Sequence, residues 1–143
     1  MADITNPLLP QGWSVDSDII QFFIDFYKIS DSPTAHDTYT GMFTGDATFK
    51  LASSTSIGRE DILAKRRSMW STVSSREHTV VKIFPFGPNA HEFMLYGGVK
   101  YTFETGQKAE KDWAARADLA KGPDGKWRMK YYQVYLDTGA NAK

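Results

Sequence analysis

His78 is the side chain of this sequence that is best suited to proton transfer, and it lies in the segment Arg76-Glu77-His78-Thr79. Imidazole changes charge near neutral pH, which makes histidine the usual general acid or base of enzymes. The segment begins a long stretch of alternating apolar and polar residues, so we expect a β-strand here. The alternative is a core histidine that packs against a helix and makes a single hydrogen bond.

Arg116 and Asp118 form a second chemically informative pair, because they stand among alanines in a predicted strand. Residues two apart on a strand face the same side of a sheet. A buried arginine needs either a carboxylate or a cavity that binds an anionic or polar ligand. We therefore interpret Arg116 as a candidate catalytic residue that stabilises an oxyanion, with Asp118 beside the substrate. A structural ion pair at a subunit interface is the alternative.

Aromatic residues make up 14% of the chain, enough to fill a core and also to line a pocket. On the last predicted strand, alternation puts Gln133 and Tyr135 on one face and Tyr132 on the other, unless a bulge near Tyr131 exchanges the faces. Such rings belong more often to a core or a dimer interface than to a ligand site. The candidate substrate-binding residues are Tyr27, Trp70, Tyr96, Trp113, Asp118, Gln133 and Tyr135.

Composition excludes several classes of protein and of site. Seventeen basic and 17 acidic residues give a net charge of zero, which argues against binding to nucleic acid or to anionic membranes. The absence of cysteine excludes disulfides and thiolate ligands, and the three histidines lack metal-binding spacing. No phosphate-binding loop or dinucleotide motif occurs, so we expect no metal and no cofactor. Without a signal peptide or an apolar span, a cytoplasmic protein is expected.

Hydrophobic periodicity predicts three helices followed by a meander of four long strands. Residues 1–13 are expected to form an arm, residues 14–137 one domain and residues 138–143 a tail. Arg66 lies on the apolar face of the third predicted helix, and we expect its side chain to extend outward to solvent. The predicted strands cover residues 48–51, 76–86, 91–104, 110–120 and 126–137.

This order of elements indicates an α+β fold, with the three N-terminal helices packed on a strongly curved antiparallel sheet. A curled sheet closed at one end by helices makes a cone with an interior pocket. Gly97-Gly98 marks the place where a bulge would bend one strand. The outer face of such a sheet would expose a large apolar patch, which favours a homodimer.

Several short motifs in this order resemble the SnoaL-like proteins of the nuclear-transport-factor-two-like superfamily, over roughly residues 14–137. They are Phe43-x-x-Asp46-Ala47, Gly58 before the third helix, His78 at the start of the meander, and Gly125-Lys126-Trp127 before the last strand. Small fungal SnoaL-like proteins are the most similar members. The resemblance implies the cone fold, which serves ketosteroid isomerases, limonene-epoxide hydrolases, scytalone dehydratases, polyketide cyclases and non-catalytic binding proteins alike.

The resemblance also implies roles for single residues. In scytalone dehydratases a histidine at the place of His78 faces the pocket, and a Tyr-Asp pair stands where this chain has Ser30-Asp31. Asp31 is therefore a third candidate catalytic residue, and a turn-forming role before Ser32-Pro33 is its alternative. The dehydratases' second histidine has no counterpart in residues 99–104, and Val134 replaces the second aspartate of the epoxide hydrolases. Both departures count against transferring either mechanism unchanged.

Taken together, the residues and the resemblance predict a cofactor-independent isomerase, cyclase or dehydratase. It would transfer a proton on a small apolar, oxygenated molecule of polyketide or terpenoid type. A non-catalytic module that binds a small molecule or dimerises on the same fold is the alternative. A protein-interaction module is a third hypothesis, which predicts a filled cone with an exposed apolar groove.

Overall fold

Three helices and six strands build residues 7–138, the part of the chain that the computed structural model describes. The helices are α1 (Ser17–Ser30), α2 (His36–Gly41) and α3 (Gly58–Met69). The strands are β1 (Phe43–Leu51), β2 (Ser54–Ile57), β3 (Val73–Pro85), β4 (Glu92–Phe103), β5 (Lys108–Lys121) and β6 (Trp127–Leu136). The predicted α+β class is confirmed. No helix within residues 7–138 is long and apolar enough to cross a membrane.

The strands form one sheet in the order β2-β1-β6-β5-β4-β3. β3 to β6 pair as the predicted antiparallel meander. The expectation of a purely antiparallel sheet is wrong, because β1 pairs in parallel with β6, with Phe49 opposite Tyr132. β2 lies outside the predicted strands and forms a short hairpin with β1. The parallel pairing brings residues from the first and last long strands to the same part of the sheet.

α1 packs one aromatic face against the sheet. Asp16 caps the helix by accepting a hydrogen bond of 2.9 Å from the backbone N–H of Asp18. The buried Phe23 and Phe26 rings lie on this face, and the Phe23 ring is 5.4 Å from that of Phe93. Because this face fixes the helix, its C-terminal end delivers Asp31 to a defined place on β3.

One extra residue on β6 decides which side chains of that strand face the interior. Asp118 on β5 pairs with Tyr131, but the next residue, Leu119, pairs with Met129, so Lys130 is unpaired in the ladder. Such a bulge reverses the alternation beyond it. Met129 and Tyr132 are consequently both buried in the interior. The structure thus has the bulge that the sequence left open.

A second bulge explains why a glycine is needed at position 97 but not at position 98. β3 pairs Val80 with Gly97 and then Lys82 with Tyr96, so the extra residue is on β3, opposite the glycines. A Cβ atom at Gly97 would lie 1.7 Å from the Thr79 carbonyl oxygen, whereas one at Gly98 would meet nothing closer than 3.8 Å. Gly97 is therefore required by the close approach of β3, and Gly98 is not.

The interior of the cone is filled largely by aromatic rings. The Phe26, Phe43 and Phe49 rings all lie within 6.3 Å of the Tyr132 ring. This packing restricts the free space to the part of the cone beside β3. Outside the cone, Leu8 bridges to β3 in parallel, within the segment predicted to be an arm. The predicted tail lies outside the described residues except for Thr138.

Candidate active site

A carboxylate–imidazole pair lies where the end of α1 meets β3. Asp31 Oδ1 is 2.5 Å from His78 Nδ1, and Asp31 Oδ2 accepts a hydrogen bond of 2.9 Å from the backbone N–H of His78. An ionised carboxylate can only accept hydrogen bonds, so Nδ1 carries the proton of a neutral imidazole, and Nε2 of that neutral ring keeps its lone pair. The two side chains are 14% and 20% exposed. The structure thus brings together two of the three candidate catalytic residues.

Aromatic rings hold the imidazole of His78 in place. The centroid of the Tyr27 ring is 5.3 Å from that of His78, and the Trp113 ring is 5.8 Å away. The indole N–H of Trp113 donates to the Gly98 carbonyl at 2.9 Å, which orients the indole. Nε2 of His78 makes no hydrogen bond to any of residues 7–138. The basic nitrogen is therefore available to a ligand.

A buried pair of tyrosines supplies hydroxyl groups to the same region. The hydroxyl oxygens of Tyr27 and Tyr132 are 2.8 Å apart, so one hydroxyl hydrogen is used between them and the other is left over. Burial raises the pKa of both phenols well above the ordinary value. These hydroxyls therefore stay protonated and act as hydrogen-bond donors rather than as bases.

Arg76 is a buried cation in the same wall and was not singled out from the sequence. It is 6% exposed, and its guanidinium lies over the Trp70 ring at 4.8 Å and the Tyr101 ring at 5.1 Å. One nitrogen, Nη2, donates to the Met69 carbonyl at 2.9 Å. The other, Nη1, is buried without a hydrogen-bond partner among the described residues. Strand alternation from His78 could have identified Arg76, since residues two apart share a face.

The Tyr101 hydroxyl is the polar group that most affects this guanidinium. Burial lowers the pKa of Arg76, and Tyr101 partly offsets that effect electrostatically. Burial likewise raises the pKa of Tyr101, and Arg76 opposes it. No hydrogen bond of normal distance and angle joins the Arg76 guanidinium to the Tyr101 hydroxyl.

Arg66 positions the segment that carries Asp31. Its guanidinium donates to the carbonyls of Ser30 at 2.8 Å, Ile29 at 3.2 Å and Ser32, at the C-terminal end of α1. The side chain is 0% exposed, so the expectation that it extends to solvent is wrong. Carbonyls at a helix end lack intrahelical partners, and a guanidinium presents enough donors to satisfy several of them at once. Burial lowers the pKa of Arg66 to about 10.

The cavity beside His78 has a volume of about 40 Å³, room for a few water molecules. Its wall is mostly apolar and aromatic, with a small number of polar groups, as is typical of small-molecule sites. Leu51, Met69 and Tyr101 are half-buried residues of this lining. The lining residues are Ser30, Tyr39, Phe49, Leu51, Met69, Arg76, His78, Val99, Tyr101, Trp113, Tyr132, Val134 and Leu136.

Arg116 and Asp118 lie on the outer face of the sheet, so their predicted place in the pocket is wrong. Trp113 and Leu119 of the same strand are buried inside, and alternation therefore turns Arg116 and Asp118 outward. Arg116 Nε donates to Glu92 Oε2 at 2.9 Å, and its side chain is 38% exposed. Asp118 pairs instead with Lys130 and His91, at 3.6 and 3.4 Å.

Three further candidates for substrate binding also lie on the outer face. Tyr96 and Tyr135 are exposed, and Gln133 accepts a hydrogen bond of 2.6 Å from the Tyr131 hydroxyl. The bulge at Lys130 explains why Gln133 and Tyr135 lie on the outer face, because it reverses the alternation of β6 beyond Lys130. Trp70 does not line the cavity but lies beneath the Arg76 guanidinium.

A metal site is not supported by the described residues. No group of three or more His, Asp or Glu side chains within residues 7–138 is arranged to hold a metal ion. His91 lies on the outer face with Asp118, and His36 accepts a hydrogen bond of 3.1 Å from Arg66 Nε. The three histidines therefore have separate environments.

Comparison with known proteins shows the fold but no family. No protein-family model matches the chain, and no curated protein matches its sequence. Among solved structures, a protein of Catenulispora acidiphila is similar at 20% identity and a TM-score of 0.73, over 89% of this chain and 94% of that one. ActVI-ORFA from Streptomyces coelicolor is similar at 15% identity and a TM-score of 0.69, over 85% and 96%.

Nuclear transport factor 2 from Cryptosporidium parvum shares 14% identity with a TM-score of 0.70, over 92% of this chain and 100% of that one. At these identities the similarity is one of fold alone. The chain has the nuclear-transport-factor-two-like cone fold, as the resemblance predicted. The fold supports many unrelated functions, so function must be argued from the cavity.

Proposed function

We propose that this protein binds a small, mostly apolar, oxygenated molecule in its cone and transfers a proton on it. The observation that carries the proposal is His78, which lines a mostly apolar cavity and is paired with the Asp31 carboxylate. The reaction would be an isomerisation, cyclisation or dehydration, and the ligand would be of polyketide or terpenoid type. Proton transfer by a positioned imidazole suits all three reactions.

In the proposed reaction, His78 Nε2 removes a proton from a carbon next to a carbonyl group. The imidazolium that forms donates Nδ1–H to Asp31, which stabilises the new charge at 2.5 Å. The carboxylate also keeps the imidazole in the tautomer whose Nε2 is basic. His78 then returns the proton to another atom of the ligand, so no net proton is consumed in an isomerisation.

Tyr132 is proposed to bind the carbonyl oxygen of the ligand. It lines the cavity, and with Tyr27 as the donor of the bond between the two hydroxyls, the hydroxyl hydrogen of Tyr132 is left for the ligand. A hydroxyl donor that stays protonated stabilises negative charge as it develops on an enolate oxygen. The low-polarity wall around it strengthens this interaction.

Ligand entry is expected to widen the cavity. A volume of about 40 Å³ is smaller than an organic ligand needs. Met69 is a half-buried residue of the lining, and methionine is the apolar side chain that most easily adopts other conformations. We therefore expect ligand binding to move Met69 and its neighbours rather than the Asp31–His78 pair.

Exchange of α-protons for deuterium tests this function without a known substrate. Acetophenone and cyclohexanone in D2O are followed by NMR with the wild-type protein, His78→Gln, Asp31→Asn and the outer-face control Arg116→Gln. We expect faster exchange than in buffer, retained by Arg116→Gln and lowered about 100-fold or more by His78→Gln. Equal exchange by wild type and His78→Gln contradicts proton transfer. Ketone binding without exchange supports the non-catalytic alternative.

A homodimer is proposed as well, because the outer face of the sheet carries exposed apolar side chains. Met94, Tyr96, Phe84 and Tyr135 are 40%, 37%, 45% and 47% exposed. A second copy of this chain would remove them from water, as an isologous interface does. Light scattering should give twice the monomer mass, and Tyr96→Glu should lower it. A monomer at all concentrations contradicts this proposal.

A further inference from the structure

We propose that Arg76 is a ligand-binding residue that receives a carboxylate of the ligand, apart from the carbon on which the proton moves. This inference rests on the proposed function and narrows its ligand class to carboxylic acids. The supporting observations are the free Arg76 Nη1, the charge balance around it, and its distance along β3 from His78.

The first observation is a buried donor without an acceptor. Nη1 of Arg76 has no hydrogen-bond partner among residues 7–138, although the residue lines the cavity and is 6% exposed. Leaving a buried charged donor unsatisfied is costly, so native structures seldom do so without reason. The guanidinium is fixed between the Trp70 and Tyr101 rings and by the Met69 carbonyl. It is therefore oriented before any ligand arrives.

The second observation is an excess of buried positive charge. Arg66 and Arg76 are both buried, and neither forms an ion pair within the described part of the chain. Asp31 is the carboxylate whose charge acts on both of them, and its two oxygens already bind His78. A ligand anion would compensate the remaining charge, which neutral oxygen groups would do only weakly.

The third observation concerns distance. Arg76 and His78 are two residues apart on β3 and face the same side, so their backbones are roughly 7 Å apart. An enolate oxygen lies only two bonds from the carbon that loses the proton, so it belongs beside His78 and Tyr132. The group at Arg76 is a separate, permanent anion that anchors the ligand. A guanidinium suits a carboxylate in particular.

A purely structural Arg76 is the competing explanation, since stacking on two rings and one carbonyl bond could be its whole role. The two explanations differ in one respect. A structural arginine has no preference among cavity ligands, whereas a carboxylate-binding one prefers an acid over its neutral amide. Benzoate and benzamide form such a matched pair of nearly equal size.

Calorimetric titration of the wild-type protein with benzoate and with benzamide tests the inference. The indole N–H signal of Trp113 shows whether the probe is in the cavity. We expect benzoate to bind at least about tenfold more tightly, the usual scale for a charge-assisted hydrogen bond. Arg76→Gln should remove that preference and leave benzamide binding unchanged. Arg116→Gln, the same charge change on the outer face, should keep the preference.

Two further variants keep the outcome decisive. Arg76→Lys retains the charge and should retain part of the preference even if Arg76→Gln fails to fold. His78→Gln should keep the preference. If His78→Gln loses it while Arg76→Gln keeps it, the imidazole binds the anion and the inference is overturned, although proton transfer still stands. Equal affinities in the wild type, or no benzoate binding up to the solubility limit, overturn it too. If the wild-type protein did not accelerate proton exchange, that result would contradict the proposed function and leave the inference about Arg76 standing.

Discussion

The two faces of the sheet carry similar side chains that do different things. Each face has an arginine beside an aromatic ring, at 4.8 Å for Arg76 over Trp70 inside and 4.3 Å for Arg116 over Tyr131 outside. The outer arginine forms an exposed ion pair with Glu92, whereas the inner one is buried and leaves a donor unused. Residue type therefore did not identify the site, and the face on which each residue lies did.

The difference teaches that burial converts an ordinary polar residue into a candidate for function. On the outer face, water satisfies every spare donor, and ion pairs contribute little stability. On the inner face, polar groups depend on partners within the protein, as in Asp31–His78 and Tyr27–Tyr132. Nη1 of Arg76 has no such partner among the described residues. The predictions that follow compare an inner change with a matched outer one.

The largest effect is expected for a glycine of β4. Gly97→Ala would place a Cβ atom 1.7 Å from the Thr79 carbonyl oxygen, so the sheet must shift or fail to form. We expect a loss of about 4 kcal/mol or more in the free energy of unfolding. Gly98→Ala, whose Cβ would lie 3.8 Å from its nearest neighbour, should cost little. Urea denaturation measures both, and equal stability of the two variants would show that β3 does not approach β4 closely at Gly97.

The next largest effect is expected for the buried arginine of α3. Arg66→Met removes the guanidinium donors to the carbonyls of Ile29, Ser30 and Ser32, and the buried Ser30 carbonyl loses the Arg66 hydrogen bond of 2.8 Å. The expected loss of unfolding free energy is about 3 kcal/mol. Arg116→Met breaks an exposed ion pair and should cost less than about 1 kcal/mol. Similar midpoints in urea for the two variants would contradict the assignment of Arg66 as the residue that fixes the end of α1.

A substitution on the inner face should also lower the rate of proton exchange much more than one on the outer face. His78→Ala is expected to slow α-proton exchange of acetophenone about 100-fold or more, while Gln133→Ala on the outer face should stay within about twofold of wild type. The reason is that His78 is the one histidine among the cavity-lining residues of the described part of the chain. Unchanged exchange in a folded His78→Ala protein would move the proton transfer elsewhere.

The smallest effect concerns pH and His36. Burial and the nearby Arg66 lower the pKa of His36, so the folded protein binds this proton more weakly than the unfolded chain does. Stability from this group is therefore present above the ordinary pKa of 6.5 and is lost as pH falls below it. Protonation at Nδ1 would also remove the acceptor of Arg66 Nε–H.

Urea denaturation at a series of pH values, from mildly alkaline to mildly acidic, measures this contribution. The wild-type protein should lose stability more steeply towards low pH than His36→Gln does, because the variant has no proton to bind there. Parallel curves for the wild-type protein and His36→Gln would show that His36 has the same pKa in the folded protein as in the unfolded chain.

Much of the fold could be predicted from sequence because it depends on local patterns. Alternation and turn residues identify the antiparallel meander, and the aromatic face of α1 follows from helical spacing. The parallel pairing of β1 with β6 could not be predicted, since no local pattern specifies which distant strand completes the sheet. Asp31 and His78 were linked only through the resemblance, because they are far apart in the chain.

The errors at the site have a specific physical cause. Alternation already separates Trp113 from Arg116 on β5, so both could not face one pocket on an unbulged strand. On β6, the single unpaired Lys130 decides that Tyr132 points inward and Gln133 outward. A one-residue irregularity has little sequence signature, yet it exchanges the two faces of a strand. Side-chain chemistry was therefore easier to recognise than side-chain direction.

The proposed role of His78 as a base depends most directly on the tautomer of its imidazole. Nitrogen-15 NMR of the imidazole distinguishes a protonated from an unprotonated ring nitrogen and needs no substrate. With Asp31 Oδ1 at 2.5 Å from Nδ1, we predict that the neutral ring carries its proton on Nδ1 and that Nε2 is unprotonated. Asp31→Asn should remove this preference. A neutral His78 with its proton on Nε2 in the wild-type protein would contradict the proposed base in the cavity.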